Sequence, residues 1–220
     1  MKKLLLVLTV LFFSLPVFAQ LEEGQHMLDI KGDLGFQIVN SGITYSAYDA
    51  RADWGTLGVE IGASYYYLVS KHLGLGVDIS YGDFDGGAFT WSTTNRVEDA
   101  THVLNAMLAS RYTLNPDSRF FRFYIPFGAG FTLARQKIYI HYYSTEYSKK
   151  KTDTSLGLFI GAGLEFDIGQ KGWSWGLESR YNTFWYDSEK LVKDAPSPIH
   201  GDGNRRYEYI TFQLHISKRF

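Results

Sequence analysis

The sequence predicts an all-β protein, an eight-stranded antiparallel up-and-down transmembrane β-barrel. Three observations carry that expectation. Period-two alternation of apolar and polar residues recurs eight times, with little helical periodicity. The connections between the alternating segments are short and long by turns. One face of the segments gathers their charges and glycines, while the other is apolar with aromatics toward its ends.

Each segment justifies its place by its alternation. The first sets Leu28, Ile30, Leu34, Phe36 and Ile38 against Asp29, Lys31, Asp33, Gly35 and Gln37. The second sets Leu57, Val59, Ile61, Ala63, Tyr65 and Tyr67 against Gly58, Glu60, Gly62 and Ser64. The third runs Leu73, Leu75, Val77, Ile79 and Tyr81 against Gly74, Gly76, Asp78 and Ser80. The fourth runs Leu104, Ala106, Leu108 and Tyr112 against Asn105, Met107, Ala109 and Arg111. In the fifth, Phe121, Phe123, Ile125, Phe127, Ala129, Phe131 and Leu133 oppose Arg122, Tyr124, Pro126, Gly128, Gly130 and Thr132. The sixth alternates from Leu156 to Ile168, with Gly157, Phe159, Gly161, Gly163, Glu165 and Asp167 on its other face. The seventh sets Trp173, Trp175, Leu177, Tyr181 and Thr183 against Ser174, Gly176, Glu178, Arg180 and Asn182. The eighth sets Ile210, Phe212, Leu214, Ile216 and Phe220 against Tyr209, Thr211, Gln213, His215, Ser217 and Arg219.

Short connections are expected at Val69–His72, Asn115–Ser118 and Gly169–Gly172. Long ones are expected at about Asn40–Asp53, Gly82–Thr101, Arg135–Asp153 and Phe184–Arg206. Tight turns at one end and long loops at the other are the pattern of a membrane barrel, and an even strand count puts both termini at the tight-turn end.

The N-terminus reads as an export signal. Lys2 and Lys3 precede the apolar run Leu4–Phe18, and Val17-Phe18-Ala19 is a small-residue cleavage site before Gln20. The run is short for a spanning helix, which favours a cleaved signal over an anchor. The expected organisation is a signal peptide at 1–19 and one barrel domain at 20–220. With no Cys, disulfides and a lipid-modified N-terminal Cys are excluded. The formal net charge of −1, or −3 without Lys2 and Lys3, does not point to nucleic acid.

Alternation alone does not say which face is inside. A soluble barrel turns its apolar face inward; a membrane barrel does the reverse. Asp29, Lys31, Asp33, Glu60, Asp78, Arg111, Arg122, Glu165, Asp167, Glu178, Arg180 and Arg219 share one face, and only Lys218 lies on the other. A charge facing hydrocarbon at mid-depth costs about 2–4 kcal/mol for Arg or Lys, so a nearly uncharged face suits lipid. The charged face is also the glycine-rich one, and a narrow eight-stranded lumen has room only for modest side chains. Threaded up and down, Tyr65, Tyr67, Tyr112, Phe121, Phe123, Phe166, Trp173, Trp175 and Phe220 fall near the tight-turn end. Phe36, Tyr81, Phe131 and Tyr181 fall near the other. Two such belts are the interfacial girdle of a membrane barrel.

The last strand, alternating from Ile210 to the terminal Phe220, resembles the C-terminal signal by which outer-membrane proteins are recognised for insertion, although Lys218 departs from the usual apolar choice. With Ile125-Pro126-Phe127-Gly128-Ala129-Gly130 and Leu177-Glu178-Ser179-Arg180-Tyr181, residues 26–220 resemble the small porin-like barrels of the OmpA, OmpX and OmpW kind. The resemblance implies the outer membrane of a Gram-negative bacterium. Its implied partners are membrane lipid, lipopolysaccharide and the barrel-assembly machinery, the last engaged through the strand ending at Phe220. No motif in it is diagnostic of a function.

The expected lumen charge network comprises Lys31, Asp33, Glu60, Asp78, Arg111, Arg122, Glu165, Glu178 and Arg180. Its members are expected to pair, as a plug that fills the lumen or, alternatively, as a gate in a narrow solute path. The expected girdle is Tyr65, Tyr67, Tyr112, Phe166, Trp173, Trp175 and Phe220. No catalytic residue, cofactor or metal site is expected. A lipid-modifying enzyme would need Ser, His and an acid facing lipid, whereas His215 and Ser217 face inward. The remaining His residues fit no metal spacing, and Asp202-Gly203-Asn204 reads as a turn. Lys149-Lys150-Lys151, beside Tyr139, Tyr142, Tyr143 and Tyr147, gives the third long loop a basic, aromatic tip that is either lipid-phosphate-binding or simply solvated.

Overall fold

Eight strands close on themselves. In the structure, a computed structural model, the described residues are 21–39, 43–45, 50–51, 57–92, 95–118, 120–168, 172–187, 189–195, 199–201 and 204–220. The expected signal at 1–19, Asp202-Gly203 and parts of the long loops lie outside them. The strands are β1 (His26–Val39), β2 (Ile43–Tyr45), β3 (Ala50–Arg51), β4 (Leu57–Leu68), β5 (Leu73–Ser92), β6 (Asn95–Thr113), β7 (Phe121–Tyr142), β8 (Thr145–Ile168), β9 (Trp173–Asp187), β10 (Ile199–Gly201) and β11 (Asn204–Arg219). A single helical turn, α1 (Glu189–Val192), follows β9.

The closed barrel runs β1-β11-β9-β8-β7-β6-β5-β4, and all its neighbouring strands pair antiparallel. Closure leaves no open edge around the wall, which is what hydrocarbon demands of a sheet. β10, β2 and β3 form a separate small sheet over the long-connection end.

The burial alternation fixes the faces. On β4, Leu57, Val59, Ile61, Ala63, Tyr65 and Tyr67 are exposed, while Gly58, Glu60, Ser64, Tyr66 and Leu68 are buried. The same holds around the wall: Leu108 is 74% exposed and Phe131 70%, whereas Glu165 is 0% exposed. The core therefore lies inside the barrel and is polar, and the outer surface is oily. At ~3.3 Å per residue and a tilt near ~40°, the apolar run from Leu57 to Tyr67 stands about 25 Å tall, the height of a bilayer-facing band.

Two of the expected long loops are not loops. β5 continues to Ser92 and β6 begins at Asn95, so most of Gly82–Thr101 is hairpin. β7 and β8 likewise consume Arg135–Asp153, leaving Tyr143-Ser144 as the tip. Beyond the oily band the alternation inverts, with Arg135 and Lys137 exposed and Ile138 and Ile140 buried, so a frame set by outward apolar residues ends there while the backbone pairing persists. The Gly86-Gly87 pair sits where the β5–β6 register shifts between Asp85 and Ala88, a β-bulge. The first and fourth long connections carry β2, β3, β10 and α1.

Candidate functional site in the lumen

Inward-facing residues stack in layers from the end carrying both termini. The lowest layer is ionic. Arg122, from β7, donates to Glu165 Oε1 at 2.6 Å and to Asp167 Oδ2 at 2.7 Å, both on β8. Arg111 of β6 pairs with the other Glu165 oxygen and lies 3.6 Å from Asp29 of β1. Arg219 of β11 also donates to Asp167. The Tyr124 ring covers the Arg111 guanidinium at 3.6 Å. That ring fits because residue 163 is glycine; a Cβ there would collide with it.

A second ionic layer sits above. Lys31 donates to Asp78 Oδ2 at 2.5 Å, and Arg180 donates to the same oxygen at 2.8 Å. Ser64 adds a third bond to it at 2.6 Å, and Arg180 also pairs with Glu178. The Arg180 guanidinium lies 4.3 Å from the centre of the Phe159 ring. Asp33 and Glu60 face each other across β1 and β4, but neither Asp33 oxygen has a hydrogen-bond partner among the described residues. Glu60 accepts from Tyr209 Oη at 3.4 Å. Asn105 ties the layer to the next, donating to Tyr209 Oη at 3.0 Å and accepting from Thr132 at 2.8 Å.

The third layer is apolar. Phe84, Val103, Ala134, Phe184, Tyr186, Tyr207 and Tyr209 form one buried cluster. Phe84 and Tyr209 meet edge to face at 4.9 Å, and Phe184 stacks on Tyr207 at 4.7 Å. Gly35, Gly58 and Gly82 frame the Phe84 ring, and a Cβ at any of them would strike it.

A lid completes the stack. Leu191 and Val192 of α1 are buried. Tyr147 on β8 donates to the Leu191 carbonyl at 2.9 Å. Lys149 pairs with Asp194 at 3.1 Å, and Lys151 donates to the Asp187 carbonyl at 2.5 Å. Ile140 and Ile138, cross-strand from Tyr147 and Lys149, are fully buried at this level. The expected basic tip is thus not a tip: strand alternation turns Lys149 and Lys151 to the lid and leaves only Lys150 facing outward.

All nine charged candidates, Lys31, Asp33, Glu60, Asp78, Arg111, Arg122, Glu165, Glu178 and Arg180, are buried inside the wall. The structure joins Arg111, Arg122 and Glu165 in one layer and Lys31, Asp78, Glu178 and Arg180 in the other. Asp29, Asp167, Arg219, Tyr124 and Tyr209 also take part, though the candidate set omits them. Their inward parity on the same strands was the available signal. His215 and Ser217 are buried in the lumen, with Asp29 opposite Ser217 and the Tyr124 hydroxyl 3.5 Å from His215 Nε2. Among the described residues no group of His, Cys, Asp or Glu is arranged to hold a metal ion.

Outside the wall, Tyr65, Tyr67, Tyr112, Trp173 and Phe220 are exposed at the terminus-bearing end, where Phe166 stacks on Trp175 at 4.7 Å. His26 bonds Tyr65 and stacks on Phe220 at 5.9 Å. Lys218, the one cation on this face of the alternating segments, lies 5.2 Å from the Trp173 ring, where its charge reaches the end of the band. Phe127 and Phe212 stand at mid-height, so not every outward aromatic sits at an end.

The sequence matches the family described as outer membrane protein beta-barrel domain over residues 5–220. No curated protein matches it. Among solved structures it is similar to Neisserial surface protein A, at 11% identity over 90% of this chain and 100% of that one, with a TM-score of 0.47. It is also similar to Ail, the attachment invasion locus protein of Yersinia pestis, at 15% identity over 90% and 99% of the two chains with a TM-score of 0.41. For outer membrane protein OprG of Pseudomonas aeruginosa the identity is 11%, the coverage 90% and 97%, and the TM-score 0.49.

Proposed function

Since the chain belongs to the outer membrane protein β-barrel family, we propose that it is a plugged, non-enzymatic barrel of a Gram-negative outer membrane, with a structural or surface-presenting role. The observation that carries this is the filled lumen. Two ionic layers, an aromatic layer and a lid follow one another along the axis, each closed by the chain's own side chains. A narrow eight-stranded barrel is filled in this way by its interior residues. In this reading the tight turns and both termini face the periplasm, and the β5–β6 and β7–β8 hairpins stand outside the cell. The oily wall and its aromatic ends meet membrane lipid, and the strand ending at Phe220 engages the assembly machinery.

The non-enzymatic part rests on access. His215, Ser217 and Asp29 share a layer, but they are buried in the lumen beside Arg111 and Tyr124 and face no lipid. A small-solute channel is the competing reading, and it needs a continuous aqueous path. Planar-bilayer recordings of the purified protein decide between them. The plug predicts no steady conductance above the lipid baseline; reproducible single-channel steps overturn it.

A further inference from the structure

Just beyond the oily band, the outward face of β7 and β8 is basic. Leu133 and Leu156 are the last large apolar residues. Above them Arg135 and Lys137 on β7, and Lys150 on β8, are all exposed. Lys137 and Lys150 are direct cross-strand partners. Like charges in that position repel, so the pair is destabilising unless an anion sits between them. The nearby carboxylates are committed elsewhere: Asp83 to His102 at 3.1 Å, Glu98 to Arg96 at 2.5 Å, and Glu146 to His141 at 3.7 Å. Among the described residues none of the three cations has an ion-pair partner.

A second observation lies directly below on the same strands. Small Ala129, between Leu108 and Leu158, floors an outward groove of about 620 Å³. Phe127, Ile160 and Tyr181 wall it. Six residues separate Ala129 from Arg135, which at ~3.3 Å per residue and ~40° of tilt is about 15 Å, half of a ~30 Å hydrocarbon core. One leaflet's acyl chain has that reach.

We propose that Arg135, Lys137 and Lys150, with the groove over Ala129, form a binding site for one phosphate-bearing lipid of the outer leaflet. Its phosphate bridges the two lysines and accepts from the Arg135 guanidinium, as charge-assisted bonds of this kind do. Its acyl chain lies along the groove. This rests on the reading that the long hairpins stand outside the cell.

Native mass spectrometry of the full chain tests it. The protein is released from detergent with diphosphorylated lipid A, with the same lipid stripped of phosphate, or with inorganic phosphate alone. One lipid A is expected to be retained, at least tenfold more than the stripped lipid, and inorganic phosphate is not expected to displace it. The triple variant Arg135→Ala, Lys137→Ala, Lys150→Ala is expected to lose retention at least tenfold. Ala129→Phe, which fills the groove and leaves the cations, is expected to lose it severalfold. Equal retention of the two lipids, or unchanged retention in either variant, overturns the site. Heat-modifiable migration on a detergent gel verifies that each variant is folded. Bilayer recordings on the same preparations keep the readings apart: absent lipid retention with a silent bilayer sinks only the lipid site, and conductance sinks only the plug.

Discussion

Glu165 is the residue on which the lower plug turns. Fully buried, it accepts from Arg111 with one oxygen and Arg122 with the other. Removing one partner of a buried pair leaves an uncompensated charge, at about 3–5 kcal/mol. Glu165→Gln is therefore expected to lower the unfolding free energy of the barrel, read from urea denaturation, by an amount in that range. Asp33 is the opposite case, because its buried oxygens have no partner among the described residues. Asp33→Asn removes a buried carboxyl whose oxygens accept no hydrogen bond among the described residues and is expected to raise the unfolding free energy, on the order of 1 kcal/mol. A fall in stability for Asp33→Asn, or none for Glu165→Gln, contradicts the pairing described. The inward direction of these residues was legible in the sequence, because parity along a strand fixes the face. Their partners were not. Asp78 and Arg180 are 102 positions apart and meet across the lumen, and no alternation encodes that meeting.

At the scale of elements, the β7–β8 hairpin turns through Tyr143 with φ of 53°, a left-handed conformation that a bulky side chain adopts at about 1–2 kcal/mol. Tyr143→Gly is expected to stabilise the hairpin, read as slower amide exchange in Tyr139–Tyr142; faster exchange contradicts the strain. β8 from Thr145 to Leu156 has no strand on its second side among the described residues, and Lys149, Lys150 and Lys151 lie along it. Lysines on an open edge discourage pairing with other chains, so the run protects the edge as well as holding the lid. The lid itself rests on exposed pairs and two buried apolar side chains. Lys190, bonded to Asp187, holds that carboxyl below the ordinary aspartate range. A lowered carboxylate contributes stability above its unfolded value and loses it as pH falls through the lowered one. Protease cutting within Glu189–Ala195 is expected to rise only in that acidic range, whereas Leu191→Asp is expected to raise it at neutral pH. Equal cutting at every pH, with Leu191→Asp no faster than the parent chain, contradicts the lid. The two hairpins were read as loops because, outside the oily band, the apolar face moves inward, as Ile138 and Ile140 do on β7, and an alternation followed by its outward apolar residues stops before the strand does.

For the whole molecule, the order of physical causes is simple. Hydrocarbon outside forbids unpaired backbone and charge, so the wall closes and turns its Leu, Ile and Phe outward. The charges that remain must pair within, and they fill the space. The strand count, the tight turns and the sorting of faces follow from that and were legible; the lid over the lumen was not, because α1 is a single turn held by contacts distant in sequence. The chain has no Cys, so single cysteines report without interference. The most direct test attaches a fluorophore to Leu108→Cys in vesicles with brominated acyl chains, with Lys150→Cys as the exposed reference. Strong quenching by bromine and none by aqueous iodide at position 108, with the reverse at 150, is the expected result. Ready quenching of position 108 by iodide, with no response to bromine, would place the apolar face away from lipid and contradict the account.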